Sequence, residues 1–342
     1  MSATAPRPPQ LSDYYDLSTF LGRYRYTWSF FSPANLRFGA RDVAEANATL
    51  QNPTAASSQA LHDALLVRAT CAPSGELLPW FFRACGWALG GTPGIAFILY
   101  SAVHHPTSLR HILAGQVLNQ THLAGCTYCN RGGGGDVTAI ASIARAYVVS
   151  IVTAVPIAFG AAVAAKRWTA LRPLGRYAPY PGVAAANAVA CLTIRGDDVV
   201  SGVPVHVDMP ASGTGSEDGG SAARGGADGG VATGDGEGAA LGMSQRAGWQ
   251  AVRDTALTRT VMPMGNFVIV PLVQRLLEGV RGGRRPGLLA QVGLTAAIFS
   301  LWLPVSAAAC PPVGKLPVEE LEPELKEKLP RDATHVRYER GV

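Results

Sequence analysis

The chain has 342 residues, 48% of them hydrophobic and only 15% charged, with a net charge of +5 and a mean hydropathy of +0.15. Soluble domains carry about 25% charged residues, and the apolar runs argue for one polytopic membrane unit over two soluble domains. No block of basic residues with interleaved aromatics is present, so no nucleic-acid partner is expected.

The opening MSATAPRPPQ lacks the apolar stretch of a secretory signal peptide and the Arg-rich amphipathic pattern of a transit peptide. Any organelle address is therefore expected in the internal hydrophobic segments. Residues 1–78 carry six basic and six acidic side chains. Within them LSDYYDLSTFLGRYRYTWSFFSPANLRF combines aromatics with arginine and reads as an amphipathic, interfacial region. Pro33 with Asn35 marks a turn, and a short helix is expected around 42–50.

Residues 79–309 read as the transmembrane domain, an all-α bundle of five or six membrane helices. The segments are 79–103, 111–128, 137–165 with Pro156 as a kink, 178–194, 255–277 and 287–309. In the first two, polar residues shorten the apolar run. The fourth is the most informative. Arg176 and Arg195 bracket eighteen uncharged residues whose only amide is Asn187. As a helix that run covers ~27–30 Å, the thickness of a bilayer core, with an arginine able to snorkel at each end. Asn187 is left near mid-depth, where a polar side chain must meet another helix, water or a ligand.

Charge between the segments sets their direction. Lys166, Arg167, Arg172 and Arg176 share one short connection, and Arg275, Arg281, Arg284 and Arg285 another, against the single acid Glu278. The connection between them is net acidic. Two spans separate the basic loops, so both fall on one side, as the positive-inside rule requires. The acidic connection contains a Gly-rich insertion, 209–240, expected to form a flexible loop dispensable for chemistry. The polar tail, 310–342, falls on the side opposite the basic loops.

Several polar groups stand within or beside the apolar runs. Asn119, Gln120, His122 and, further along, Asn130-Arg131 surround one segment, and Asn119, His122 and Cys126 share a helix face. That face suits either a polar solute or an interhelical hydrogen-bond network. Arg259 lies just inside an apolar run. It can pair with a substrate carboxylate or snorkel to head groups. Pro263-Met264-Gly265-Asn266 beside it predicts a broken or unwound helix, the device by which transporters expose backbone groups to polar solutes. Cys126-Thr127-Tyr128-Cys129 has no second pair to complete a zinc site, and His104, His105 and His111 read as interfacial. No cofactor or metal is expected. Arg131-Gly-Gly-Gly-Gly-Asp136 lacks the ending of a P-loop. No catalytic constellation nominates an enzyme.

An ordered series of motifs resembles the sideroflexins, a family of mitochondrial inner-membrane proteins. Ser18-Thr19-Phe20-Leu21-Gly22-Arg23 is similar to the family's opening, and Ser32-Pro33-Ala34-Asn35-Leu36 to its next element. Gly75-Glu76 with Arg83, Gln116-x-x-Asn119-Gln120-Thr121 and Tyr128-Cys129-Asn130-Arg131 follow in order. So do Arg176-Tyr177-Ala178-Pro179-Tyr180 with Ala184-Ala185-Ala186-Asn187, then Arg195, Gly202-Val203-Pro204-Val205 and Leu241-Gly242-x-Ser244. Arg259, Gln291-Val292-Gly293, Leu321-Glu322-x-Glu324-Leu325 and the terminal Tyr338-Glu-Arg-Gly341-Val complete the series. Cys71 and Ala72, Gly115 and Val117, and Gly265-Asn266-Phe267 depart from the family's pattern.

The resemblance implies a multi-pass protein of the mitochondrial inner membrane. It implies transport of small neutral amino acids, serine above all, feeding one-carbon metabolism. Asn119, Gln120, Asn130, Asn187, Arg259 and Asn266 are the candidate substrate-binding residues. The partners expected are the amino acid and membrane lipid. The resemblance ties some family members instead to respiratory-complex assembly or iron homeostasis, which makes a non-transporting scaffold for respiratory-complex or iron–sulfur assembly the alternative. A tricarboxylate carrier would need more cations along the path than Arg145 and Arg259.

Overall fold

A computed structural model describes residues 9–53, 55–130, 137–208, 240–280, 282–283, 287–330 and 333–340. The Gly-rich insertion lies outside these residues except for Ala240, as do Arg131, Arg281, Arg284 and Arg285.

Helix α1, Phe20–Phe31, starts at Thr19, whose hydroxyl accepts the Gly22 N–H at 3.0 Å. Helices α2, Ala40–Gln51, and α3, Ser58–Ala69, pack as a pair over Val43, Ala46, Ala64, Val67 and Cys71. The helix expected at 42–50 is contained in α2. Arg83 then turns the chain into the bundle. Its buried guanidinium donates to the carbonyls of Leu78 at 2.7 Å and Phe38 at 2.9 Å.

Six longer stretches of helix follow: α4, Trp87–His104; α5, Leu109–Asn130; α6, Val137–Arg167; α7, Pro179–Ile194; α9, Gln245–Val261, continued by α10, Val270–Val280; and α11, Leu288–Ala308. A short α8, Gly196–Ser201, sits between α7 and α9. Four of these stretches are long and apolar enough to cross a membrane: 84–104, 140–167, 245–280 and 288–308. Helix α5 is the polar exception, with Gln116, Asn119, Gln120 and His122 inside it. Helix α7 has 16 residues, or ~24 Å, a few ångströms short of the bilayer core.

Small residues bring the helices together. A Cβ on Gly182 of α7 would lie 2.7 Å from the Ala154 carbonyl oxygen of α6. Ala154, Ala158 and Ala162 of α6 are buried against that seam with Ala186 of α7. On the other side of the bundle Gly94 of α4 faces the backbone of Asn119, and Gly115 of α5 faces Ile98. Without a hydrophobic driving force between helices in lipid, such close backbone approach supplies the packing energy. The core is completed by Ile95, Ile98, Leu99, Val183, Phe267, Val270, Phe299 and Leu303.

A four-stranded antiparallel sheet is added to the all-helical membrane part. Strands β1, Val203–Asp208, β2, Gly242–Ser244, β3, Val313–Pro317, and β4, His335–Glu339, stand in the order β2-β1-β4-β3. Val205 pairs with Gly242 and Tyr338, and Leu316 with Val336. The inner face, Val203, Val205, Leu316, Val336 and Tyr338, covers Ala247 and Ala251, so the first half of α9 lies on the sheet. A last short helix, α12, Pro323–Lys326, adds Leu325 to this core. The sheet joins residues 203–208 and 242–244 to residues 313–317 and 335–339. These strands therefore lie at one end of the bundle, and the charged turns at 166–176 and 275–280 lie at the other.

Candidate functional site

Pro263 is the centre of the polar structure in the bundle. Proline has no N–H, so the carbonyl of Arg259, four residues earlier, loses its helical partner. The chain turns at Met262–Pro263 and resumes as a π-helix over Gly265–Ile269 before α10. Three successive carbonyls are met by side chains of other helices. Asn187 Nδ2 donates to Arg259 O at 3.4 Å, the Tyr180 hydroxyl to Thr260 O at 3.1 Å, and Trp302 Nε1 to Val261 O at 3.3 Å. The break is thus neither a smooth helix nor an unwound strand. Of the broken or unwound helix expected at Pro263-Met264-Gly265-Asn266, the break is present, and it takes the form of a turn and a π-helical segment. Gly265 allows this, because a Cβ there would lie 2.4 Å from the Trp302 ring.

The six residues singled out in the sequence occupy three places. Asn187 and Arg259 meet at the break, and Asn266 is buried in the π-helical turn just beyond it. Asn119 and Gln120 are buried neighbours on α5. Asn130 ends α5, where its Nδ2 donates to Phe82 O at 3.0 Å and Cys126 O at 2.8 Å. Arg131 lies outside the described residues. The α5 face that carries Asn119, His122 and Cys126 packs on α4. His122 Nε2 lies 2.9 Å from Phe81 O and 3.6 Å from Cys126 Sγ, and a Cβ on Gly90 would collide with the imidazole.

Among the described residues, three side-chain amide atoms in this bundle are fully buried and find no hydrogen-bond partner: Gln116 Oε1, Gln120 Nε2 and Asn266 Oδ1. Each such atom costs about 1–3 kcal/mol when left unmatched. Gln116 also lines a cleft between α4, α5, α6 and the start of α7, with Ser101, His111, Ala158 and Pro179.

A second cleft opens between α4, α10 and α11 at the end away from the sheet. Its lining includes Tyr100, His104, Arg176, Gln274, Glu278 and Gln291. Arg176 Nη2 lies 2.9 Å from Glu278 Oε2 across it. The sequence reading missed this cleft. In that reading Arg176 is a snorkelling end of the 178–194 segment and one loop charge among several, although a single acid, Glu278, among basic residues was the available signal. It also missed Tyr180 and Trp302 as partners of the freed carbonyls.

The six cysteines are free thiols. Among the described residues, no group of three or more His, Cys, Asp or Glu side chains is placed to hold a metal ion.

A bundle of apolar helices, interrupted by a proline break and holding unmatched buried amides, defines a polytopic membrane protein. The model of the family described as sideroflexins matches residues 11–342. The chain belongs to the sideroflexin family. It is 26% identical to human Sideroflexin-5 over 96% of this chain and 91% of that protein. It is 24% identical to bovine (Bos taurus) Sideroflexin-2 over 96% of each. It is 26% identical to Sideroflexin fsf1 of Schizosaccharomyces pombe over 96% of this chain and 97% of that protein. No solved structure matches the chain.

Proposed function

We propose that the protein carries small neutral amino acids, serine foremost, across the mitochondrial inner membrane, and so supplies one-carbon metabolism. The observation that carries this reading is the set of unmatched buried amide atoms on Gln116, Gln120 and Asn266. A bundle that only filled a membrane would replace them with apolar side chains at a gain in stability. A polar solute passing between the helices repays them. Membership of the sideroflexin family supports reading the chain as a mitochondrial membrane transporter.

A zwitterion needs a cation for its carboxylate, acceptors for its ammonium group and amides for its hydroxyl. In this reading Arg259 supplies the cation, and Asn119, Gln120 and Asn266 supply amides. Asn130 and Asn187 contribute through their carbonyl oxygens, since their N–H donors are directed at backbone carbonyls. The break at Pro263 is the hinge about which access alternates.

The test is uptake of labelled serine, alanine and cysteine by proteoliposomes holding the full chain. Gradient-driven uptake by the wild type, lowered at least tenfold in Gln120→Leu and Asn266→Leu, is the expected outcome. Wild-type vesicles that move none of the three amino acids under any gradient would overturn it. The scaffold alternative gives no uptake and a respiratory defect that Gln120→Leu does not reproduce.

A further inference from the structure

We propose that the cleft bearing Arg176 and Glu278 is the site where a zwitterionic amino acid is first captured, at the end of the bundle opposite the sheet. This rests on the amino-acid transport reading above and assigns it a site apart from the Pro263 break.

The cleft is built from three helices and one connection. Tyr100, Val103 and His104 come from the last turns of α4, Pro271, Gln274 and Glu278 from one face of α10, and Gln291 from the first turn of α11. Arg176 enters from the connection before α7. Its pair with Glu278 is only partly covered, with side-chain exposures of 31% and 19%. Both partners are therefore within reach of a solute arriving from water.

The chemistry selects the ligand. An arginine and a carboxylate 2.9 Å apart are neutral as a pair. A zwitterion can enter between them without changing the charge of the cleft. Its carboxylate takes the Arg176 guanidinium, and its ammonium group takes Glu278. The contact between Arg176 and Glu278 is exchanged for one from each of them to the solute. Gln274 and Tyr100 line the same space and can meet a short polar side chain. An anionic solute such as a tricarboxylate meets Arg176 only by facing Glu278, and a cation such as an amine is repelled by Arg176 in turn. The cleft is thus matched to solutes that carry both charges.

The location adds a mechanical consequence. Without solute, the pair ties the connection before α7 to α10, closing the bundle at this end. A zwitterion that divides the pair releases the tie. Binding and opening are then one event, with the solute supplying the differential affinity that a change of state requires.

Labelled L-serine uptake by full-length protein in proteoliposomes tests this, with N-acetyl-L-serine, ethanolamine and citrate as competitors. Unlabelled serine and alanine should compete, and those three should not. Arg176→Gln and Glu278→Gln should each raise KM about tenfold, the loss of one charge-assisted contact. The exchanged pair, Arg176→Glu with Glu278→Arg, reports separately. A tie that is only structural is restored by exchange, whereas a capture site is not. Recovery of wild-type KM in the exchanged variant, or unchanged KM in both single variants, overturns the proposal and leaves the transport reading intact. Absence of wild-type uptake overturns both. Elution of each variant as a monodisperse species in detergent shows that folding is not the cause.

Discussion

The side-chain amide of Asn187 on α7 lies 3.4 Å from the backbone oxygen of Arg259 on α9. Pro263 is the reason that oxygen is open to it. The helix is broken by one residue and mended by another helix, as membrane interiors require wherever a backbone carbonyl loses its partner.

Removing the mend should be costly only while the break is present. Asn187→Ala should destabilise the protein by about 0.5–1.5 kcal/mol, the scale of an interhelical hydrogen bond in a membrane. Pro263→Ala returns an N–H to the helix, so the same Asn187→Ala change in that background should cost much less. Thermal unfolding of the four proteins of this cycle in detergent gives the coupling. Equal losses in both backgrounds would show that Asn187 works elsewhere.

Glycines on α6 and α7 offer a matched pair. Gly182→Ala places a methyl group 2.7 Å from the Ala154 carbonyl oxygen and should destabilise by about 1–3 kcal/mol. Gly160→Ala meets nothing within 4 Å and lies inside α6, so it should stabilise by about 0.5–1 kcal/mol. The two melting temperatures should move in opposite directions.

Glu322 should make the sheet region sensitive to acid. Partial burial raises its pKa, but this is outweighed by hydrogen bonds that lower it, chiefly from the Arg246 N–H at 3.0 Å. The net direction is below the ordinary 4.5. A depressed carboxylate stabilises fully above its unfolded value, and that contribution disappears as pH falls through the lower folded value. Glu322→Gln should therefore be less stable than wild type at neutral pH, and the gap should close in strong acid. Hydrogen exchange of the first amides of α9 against pH would measure this. A gap constant across the acid range would contradict it.

Cys71 should be a slow thiol. Burial pushes its pKa up, and the nearby Arg68 offsets only part of this. A raised value leaves less thiolate at pH 8, and the thiolate is the reactive form. A time course of iodoacetamide labelling read by mass spectrometry should show Cys71 modified well after the half-buried Cys129 and Cys310. Equal rates would mean that the α2–α3 unit opens readily.

The helical bundle was readable because hydropathy and loop charge act over whole segments. Pro263 was readable as a break because proline's missing N–H is local chemistry. What met the break was not readable, since Tyr180, Asn187 and Trp302 come from two other helices and their convergence depends on packing. The sheet escaped for a related reason. Val203-Pro204-Val205-His206-Val207 alternates as a half-buried strand should. Its two neighbours, however, lie beyond the Gly-rich insertion and in the tail. Among the proposed site residues, Asn119, Gln120 and Asn266 could be picked out as polar groups in apolar segments. Whether their atoms would find partners depended on contacts that spacing does not encode.

The order of strands in the sheet sets an order of assembly. Central β4 lies between β1 and β3, yet it follows every apolar helix in the chain. As the polypeptide emerges, β1 can pair with β2 and lie on the first half of α9, but the β1 edge that takes β4, and the part of the core filled by Leu316, Val336 and Tyr338, must wait until all the membrane segments have been made. Closing such distant contacts is slow, and exposed strand edges invite wrong pairing in the interval. The sheet is therefore the step that can be completed only after insertion, and it seals the connection before α9 to the tail in a single move.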